Sequence, residues 1–354
     1  MMEKLLIINK EPFGYHVDTY KYCQYLKNLY NITYICIEPS SKIESFENIK
    51  VKYIPNKYPR IIKGILFLLV CLWTILFFRG KIFVVCSPDF AGKLKKILFW
   101  KKMILDIRTL SVDKNENIRE KQDLEIKKIC DLYEHVSIIS EGLREKLDLD
   151  KSKSGILPLG ADIISNTCKK FDKKKLLYVG TLYGRDIEKT VYGFALFNQK
   201  YPDNNFSYDI IGSGFSNEQE EIQSIINENN LQEKIKLHGF IPNNKLDYFF
   251  DNCNIGVAFV PQTSYYEYQP STKIYEYVLS GLFCIATSTC SNKELINDNN
   301  GILIQDSPES FAEVLEGIYL KKNAIDSKII RNTLIDCTWE KIVNDKLIPI
   351  LNII

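Results

Sequence analysis

The chain has 354 residues, enough for two domains with cores of their own at roughly 100–200 residues each. Hydrophobic residues make up 45% and charged residues 25%, which excludes a disordered, collagenous or many-span membrane protein. The net charge is only +2, but residues 1–170 carry 29 Lys/Arg against 20 Asp/Glu, residues 171–354 carry 17 against 24, and residues 50–102 hold twelve basic residues beside the single acid Asp89.

Such a local excess predicts an anionic partner for that segment, and no nucleic acid is expected. At the N-terminus, residues 5–8 are too short an apolar run for a signal-peptide core, so a first strand and a cytoplasmic location are expected. Ten Cys without a CxxC pair, and three His at 16, 135 and 238, supply no zinc framework. In a reducing compartment the thiols act as small core hydrophobes. Strands are predicted at 5–8, 32–37, 81–85, 103–105, 136–139, 154–157, 176–179, 208–211, 234–238, 255–259, 283–286 and 301–304, with amphipathic stretches between most of them. This alternation is that of βαβ units, an α/β class with buried parallel strands. Twelve strands exceed one ordinary open sheet. The polar run 161–175, after Leu157-Pro158-Leu159-Gly160, reads as a linker between two doubly wound halves, 1–165 and 166–337. A ligand is expected at the carboxyl ends of the strands, in the cleft between the halves.

The run from Gly64 to Phe78 has fifteen residues without a charge, with Arg60 and Lys63 before it and Arg79 and Lys81 after it. As a helix it covers about 22 Å, short of a hydrocarbon core of about 30 Å. Two readings stand: a core helix covering a sheet, or a helix partly sunk in an anionic membrane surface. In the second, each basic flank contributes roughly 1 kcal/mol near the headgroups.

Glycines mark three strand ends in the second half. The strand at 176–179 runs into Gly180-Thr181-Leu182-Tyr183-Gly184-Arg185, the strand at 208–211 into Gly212-Ser213-Gly214, and the strand at 234–238 into Gly239. A missing side chain lets backbone approach a phosphate, although a glycine after a strand is also an ordinary turn. Gly212-x-Gly214 lacks the third glycine and the downstream acid of a dinucleotide fingerprint, so NAD is not indicated. Further on, Tyr268-Gln269-Pro270-Ser271-Thr272-Lys273-Ile274-Tyr275-Glu276 predicts a helix over 272–280, with Ser271 as N-cap and Gly281 as its stop. Lys273 then opposes the helix dipole in the first turn, a cost that an anion in front of the helix would offset. Glu276, one turn on, could accept two hydroxyl hydrogen bonds. Taken locally, Lys273 and Glu276 are equally an exposed i,i+3 pair on a surface helix.

The order of these motifs resembles the retaining glycosyltransferases of the two-Rossmann (GT-B) fold, family four, particularly bacterial cell-surface polysaccharide enzymes. In the first half the resemblance rests on Asp106-Ile107-Arg108-Thr109-Leu110, Ile139-Ser140-Glu141-Gly142-Leu143 and Leu157-Pro158-Leu159-Gly160-Ala161-Asp162. The second half adds Leu177 through Leu182 with Arg185, Ile210 through Gly214, Leu237 through Pro242, Ser271 through Tyr277, Lys293 through Ile296, and Asn300-Gly301. Thr338-Trp339-Glu340 opens a segment that in such enzymes crosses back, so that 338–354 packs on the first domain.

The resemblance implies a nucleotide-sugar donor, of UDP or GDP type, bound by the second domain. Arg185 and Lys273 would hold its diphosphate, Glu276 its ribose, and Gly239, Phe240 and Ile241 would face the base. Gly180, Gly212, Ser271 and Thr272 complete the donor set. Many members place a Glu eight positions before the ribose Glu; here Tyr268 stands there, beside Glu267, and Thr181 replaces a basic residue. On the first domain Gly14, His16 and Asp89 are acceptor-side candidates, and Arg108 is a candidate contact to acceptor or leaving phosphate. Cationic support for the leaving diphosphate needs no metal and no cofactor. Asp148-Leu149-Asp150 looks like a metal-binding DxD but ends a helical stretch, and His135 and His238 read as structural. The implied activity is transfer of a hexose-type sugar to a lipid-linked or growing polysaccharide acceptor, by a peripheral protein at the inner face of the cell membrane. A nucleotide-sugar epimerase of the same fold and a catalytically silent nucleotide-sugar-binding subunit are the alternatives.

Overall fold

The computed structural model describes residues 2–40, 45–113, 115–320 and 326–354. Apolar runs such as Leu5, Leu6, Ile7 and Ile8, none more than 1% exposed, are buried on successive residues rather than alternate ones. That pattern requires helices on both faces of a parallel sheet. The chain forms two such sheets, one in each of two compact units: Met1–Gly160 with Trp339–Ile354, and Ala161–Thr338.

In the first unit, β1 (Glu3–Ile8), β2 (Tyr30–Ile37), β3 (Ile49–Ile54), β4 (Lys81–Val85), β5 (Ile104–Ile107), β6 (His135–Ile138) and β7 (Ser154–Ile156) lie in the order β3-β2-β1-β4-β5-β6-β7. In the second, β8 (Lys174–Val179), β9 (Phe206–Ile211), β10 (Ile235–Gly239), β11 (Ile255–Ala258), β12 (Phe283–Thr287) and β13 (Gly301–Ile304) lie in the order β10-β9-β8-β11-β12-β13. Every pairing is parallel. Strand order reverses between β1 and β4 and between β8 and β11, and open α/β sheets bind ligands beyond such switch points.

All twelve expected strands are present. The thirteenth, β3, is an edge strand whose Ile-Lys-Val-Lys-Tyr-Ile alternation is half polar, as edges often are. Six of the ten cysteines are buried. Residues 161–173 are not the free linker their polarity suggested, because their polar groups are satisfied inside the second unit. Ser280 Oγ accepts the Ile164 and Ser165 N–H groups at 3.2 and 3.3 Å, and buried Lys169 donates to Ser165 Oγ at 2.7 Å. Ala161 N–H donates to the Cys337 carbonyl at 3.0 Å and Ala161 bridges Thr338. The chain therefore leaves and re-enters this unit at one paired point, five residues before the expected boundary. Trp339–Ile354 returns to the first unit, where Trp339 meets Tyr22 edge-on at 6.1 Å between ring centroids. Its helix is interrupted by a π-turn at Val343–Leu347.

All but the last residue of the run from Gly64 to Phe78 lies in a helix, Arg60–Phe77, whose fully buried residues are Phe67, Cys71 and Ile75. Phe67 meets Phe90 edge-on at 4.8 Å, and Lys52 Nζ donates to Thr74 Oγ1 at 3.2 Å. Ile61, Ile65, Leu69, Trp73 and Phe77 are each more than half exposed. The core-helix reading therefore holds for one stripe only: the helix lies against β2 and β3 through that stripe, and most of its apolar surface is left uncovered.

Candidate functional site

The second unit builds its site from three strand ends. Gly180 N–H donates to the Ile211 carbonyl at 3.0 Å and Gly212 N–H to the Gly239 carbonyl at 2.9 Å, so the glycines after β8 and β9 and the one that ends β10 form one connected crest. At Gly212, with φ +157°, a Cβ would collide with the Gly180 carbonyl oxygen. Buried Tyr277 anchors the crest from below, its hydroxyl accepting the Val179 N–H at 2.9 Å.

Beyond the switch point a cavity of about 350 Å³ opens, lined by Gly180, Thr181, Arg185, Ser271, Thr272 and Lys273 together with the end of β11. Residues separated by some ninety positions of sequence thus converge on one hollow, with both predicted diphosphate cations in its wall. Ser271 has the extended backbone of an N-cap before the helix Thr272–Leu279, but its side chain makes no capping hydrogen bond. Five of that helix's eight residues are buried, which holds Lys273 and Glu276 on its open side. Lys273 Nζ donates to Glu276 Oε2 at 2.6 Å, and both side chains are about three-quarters buried, at 25% and 23% exposure. The i,i+3 pair is therefore real and stands at the rim of a cavity rather than on open surface.

Sequence reasoning missed two wall residues. Tyr266 lies 4.6 Å beneath the Arg185 guanidinium, measured to the ring centroid, and its hydroxyl donates to the Gly184 carbonyl at 3.1 Å. It fixes the arginine by cation–π contact, and burial raises its phenol above the ordinary value. Asn292, 1% exposed, donates to the Thr287 carbonyl at 2.8 Å and leaves its buried Oδ1 unpartnered in the cavity wall. An aromatic residue two positions before Tyr268, and the position before Lys293, were the available signals. Glu267 does not stand in for the missing acid: its carboxylate accepts the Cys290 N–H at 2.9 Å.

Other expected donor residues stand outside this lining. Gly212, Gly239, Phe240, Ile241, Tyr268 and Glu276 do not line the 350 Å³ cavity, although the first two join it through the crest and Glu276 through Lys273. Phe240 is 73% exposed. His238 is not a core histidine: its ring is partly exposed, pairs with Asp209 at 2.6 Å and packs on Phe249. His135 is buried in the first unit, and burial lowers its pKa.

On the first unit, Gly14 (φ +86°) and Asp89 line a second cavity beyond the β1/β4 switch point, while His16 turns away to Asn9 Nδ2 at 3.1 Å. Asp89 is held by Lys10 and Ser87, which keep its carboxyl below the ordinary value despite partial burial. Arg108 is tied within its own unit: Nε donates to Asp18 at 2.7 Å, one terminal nitrogen to the Leu157 carbonyl at 3.0 Å, and Asp106 lies 3.7 Å away. Its side chain is 11% exposed, with the other terminal nitrogen buried and unpartnered. Asp148 pairs with Lys127 at 2.9 Å and Asp150 accepts the Ser152 N–H at 2.8 Å, so both carboxylates of the DxD look-alike serve a surface turn. Among the described residues no group of three His, Cys, Asp or Glu is placed to hold a metal.

Residues 173–320 match the family model described as Glycosyl transferases group 1, which spans the crest, the cavity and the Thr272–Leu279 helix. No curated protein matches the chain. Among solved structures, a glycosyltransferase from Rickettsia africae is 14% identical, with 99% of this chain and 98% of that one covered and a TM-score of 0.74. The lipopolysaccharide outer core galactosyltransferase WaaB is 15% identical, with 98% and 99% covered and a TM-score of 0.73. Anabaena Alr3699/HepE, solved in complex with UDP, is 12% identical, with 99% and 100% covered and a TM-score of 0.74. The chain has the GT-B fold, and the family match across its second unit supports a glycosyltransferase.

Proposed function

We propose that the protein moves a sugar, with retention of configuration, from a UDP- or GDP-sugar to a lipid-linked or growing polysaccharide acceptor at the cytoplasmic face of a membrane. The observation that carries this reading is the convergence of Arg185 and Lys273 on the cavity beyond Gly180. In a retaining transfer the anomeric carbon takes on oxocarbenium-like charge while the nucleoside diphosphate departs. Two fixed cations in a small, half-dry hollow stabilise that leaving group far more than they would in water. Lys273 is held by Glu276 and Arg185 by Tyr266, so neither has to be recruited as charge develops. Glu276 then has a second carboxylate oxygen for the ribose. UDP bound to HepE supports a nucleotide as the occupant.

The membrane part of the proposal rests on the Arg60–Phe77 helix. Its 18 residues expose a broad apolar face, Phe99 and Trp100 are exposed beside its C-terminal end, and Lys101 Nζ reaches the Leu76 and Phe78 carbonyls at 3.4 Å. With one stripe fixed to the domain, such a helix would lie along a bilayer surface, and the exposed basic residues of this stretch, such as Arg60, Arg79, Lys96 and Lys102, would meet anionic lipid.

The test is incubation with a panel of nucleotide sugars and extracted membrane lipid. Free nucleotide with a lipid-borne sugar of unchanged anomeric configuration is expected. An isomerised nucleotide sugar would instead establish an epimerase, and binding without turnover a silent subunit. If chelator stops turnover, the cation-only account of the leaving group fails.

A further inference from the structure

Among the described residues of the second unit, three buried side-chain oxygens have no hydrogen-bond partner: Thr263 Oγ1, Ser291 Oγ and Asn292 Oδ1. All three lie on the segments that follow β11 and β12, and Asn292 lines the cavity of about 350 Å³. A buried acceptor left unpaired carries the full cost of its desolvation, so such an atom calls for a ligand or a water. The two hydroxyls can rotate to serve a neighbour. The amide oxygen cannot.

Asn292 is fixed on all sides. Its backbone N–H donates to Thr289 Oγ1 at 3.2 Å, the cap of the short helix Cys290–Lys293, and its carbonyl accepts the Ile296 N–H at 3.0 Å. Its side-chain Nδ2 donates to the Thr287 carbonyl at 2.8 Å. Turning the amide over would set Oδ1 against that carbonyl, oxygen to oxygen, so Oδ1 stays in place and acts only as an acceptor. Thr287 and Thr289 are fully buried, and Thr287 Oγ1 accepts the Val260 N–H at 2.9 Å. That bond ties the support of Asn292 to another residue of the same cavity wall.

The chemistry of the occupant follows by elimination. Arg185 and Lys273 suit a diphosphate, but ionised phosphate oxygens only accept and would be repelled by Oδ1. Glu276, the candidate partner of the ribose, stands outside the lining, which leaves the nucleoside beyond the rim. No carboxylate lines this cavity among the described residues, since Glu267 is turned to the Cys290 N–H. The part of a nucleotide sugar that can donate to Oδ1 is therefore the sugar itself. We propose that Asn292 Oδ1 accepts a hydrogen bond from one ring substituent of the transferred sugar, and so selects a neutral sugar with a hydroxyl or amide N–H there over one with a carboxylate or no donor. This rests on the transferase reading and adds to it a specificity residue and a sugar class.

The experiment is calorimetric titration of the full chain with UDP-glucose, UDP-galactose, UDP-N-acetylglucosamine, GDP-mannose, UDP-glucuronic acid, UDP and GDP. One neutral-sugar nucleotide is expected to bind more tightly than its own nucleoside diphosphate, and about tenfold or more tightly than UDP-glucuronic acid. Among monodeoxyfluoro analogues of that sugar, in which fluorine cannot donate, one position should weaken binding by about tenfold or more. Asn292→Ala should weaken the intact nucleotide sugar by a similar factor, leave the free nucleotide unchanged, and be indifferent to that same fluorine. Asn292→Leu, which keeps the wall filled, should show the same pattern. UDP-glucuronic acid as the tightest ligand, no fluorine-sensitive position, or a fluorine penalty undiminished in both variants overturns the proposal. So does an equal loss for nucleotide and nucleotide sugar, which would mean that Asn292 holds only structure or a water. Any of these with UDP or GDP still bound by the parent chain sinks this inference alone. Binding of neither nucleotide nor nucleotide sugar would sink the transferase reading and this inference with it.

Discussion

Two helices of this molecule have opposite relations between composition and surroundings. Thr272–Leu279 is short and mixed in composition, yet buries Ile274, Tyr275, Tyr277, Val278 and Leu279 and keeps Lys273 and Glu276 at a cavity rim. Arg60–Phe77 is far more apolar and buries three residues of eighteen. The difference lies in the partner. The first is wedged beside β11 and β12 in the middle of a sheet, whereas the second rides on β2 and β3 at a sheet edge. Hydrophobicity states what a segment would gain by leaving water; whether protein or lipid supplies that burial depends on the area facing it.

If the first helix is the chemical one, its cation should dominate the kinetics. Lys273→Ala, or Arg185→Ala on the opposite strand end, should lower turnover with a nucleotide sugar by about 100- to 1,000-fold, the cost of removing one fixed donor to developing charge. A loss below tenfold in both would dissolve the contrast. Next, Glu276→Ala should weaken UDP about 10- to 100-fold in calorimetry, since a charged hydrogen-bond partner of the ribose is lost. Unchanged affinity would take Glu276 out of the site. On the other helix, Leu69→Ser with Trp73→Ser should reduce partition onto anionic vesicles by about tenfold or more, at roughly 1.5–3 kcal/mol for each large apolar side chain fully buried. Binding by the parent chain should also weaken as salt rises, and salt-insensitive binding would remove the basic flanks from the account.

The smallest effect concerns the cation that turned inward. Burial raises the Asp106 carboxyl to about 6, even though Arg108 beside it pulls the other way. The native state then holds this proton more tightly than the unfolded chain, whose value is about 3.9, so the Asp106 contribution favours folding below about pH 4 and is lost as pH rises through about 6. Asp106→Asn should flatten that decline, of order 1–3 kcal/mol, in a pH series of denaturant melts. An unaltered series would mean that the carboxyl is ionised throughout. Activity near neutral pH should change less than in Lys273→Ala, because Arg108 is tied to Asp18 and Leu157 rather than to a cavity.

Strands, their parallel pairing and the glycine-marked ends were legible because they depend on short-range pattern: a four-residue apolar run bounded by turn residues is the length of an inner strand, and a glycine after it permits the tight return. Edge strand β3 escaped because its lysines drew attention to charge and hid a period of two. The ordering of Ser271, Lys273 and Glu276 on one helix was likewise local. Three things were not local. Tyr266 under Arg185 needs a loop eighty residues away to fold back, and the bonds of Arg108 to Asp18 and to the Leu157 carbonyl join it to distant elements. Lys169 made a polar stretch into packed interior by finding oxygens on the Phe250 and Asp251 carbonyls.

By itself, then, the order of amino acids determined two parallel α/β sheets and a cluster of residues suited to a diphosphate, since backbone geometry and side-chain chemistry act over a few positions. Only the tertiary structure decided which charges were already neutralised and which apolar surface remained uncovered. Both are properties of neighbours brought together by folding, and no run of sequence carries them alone.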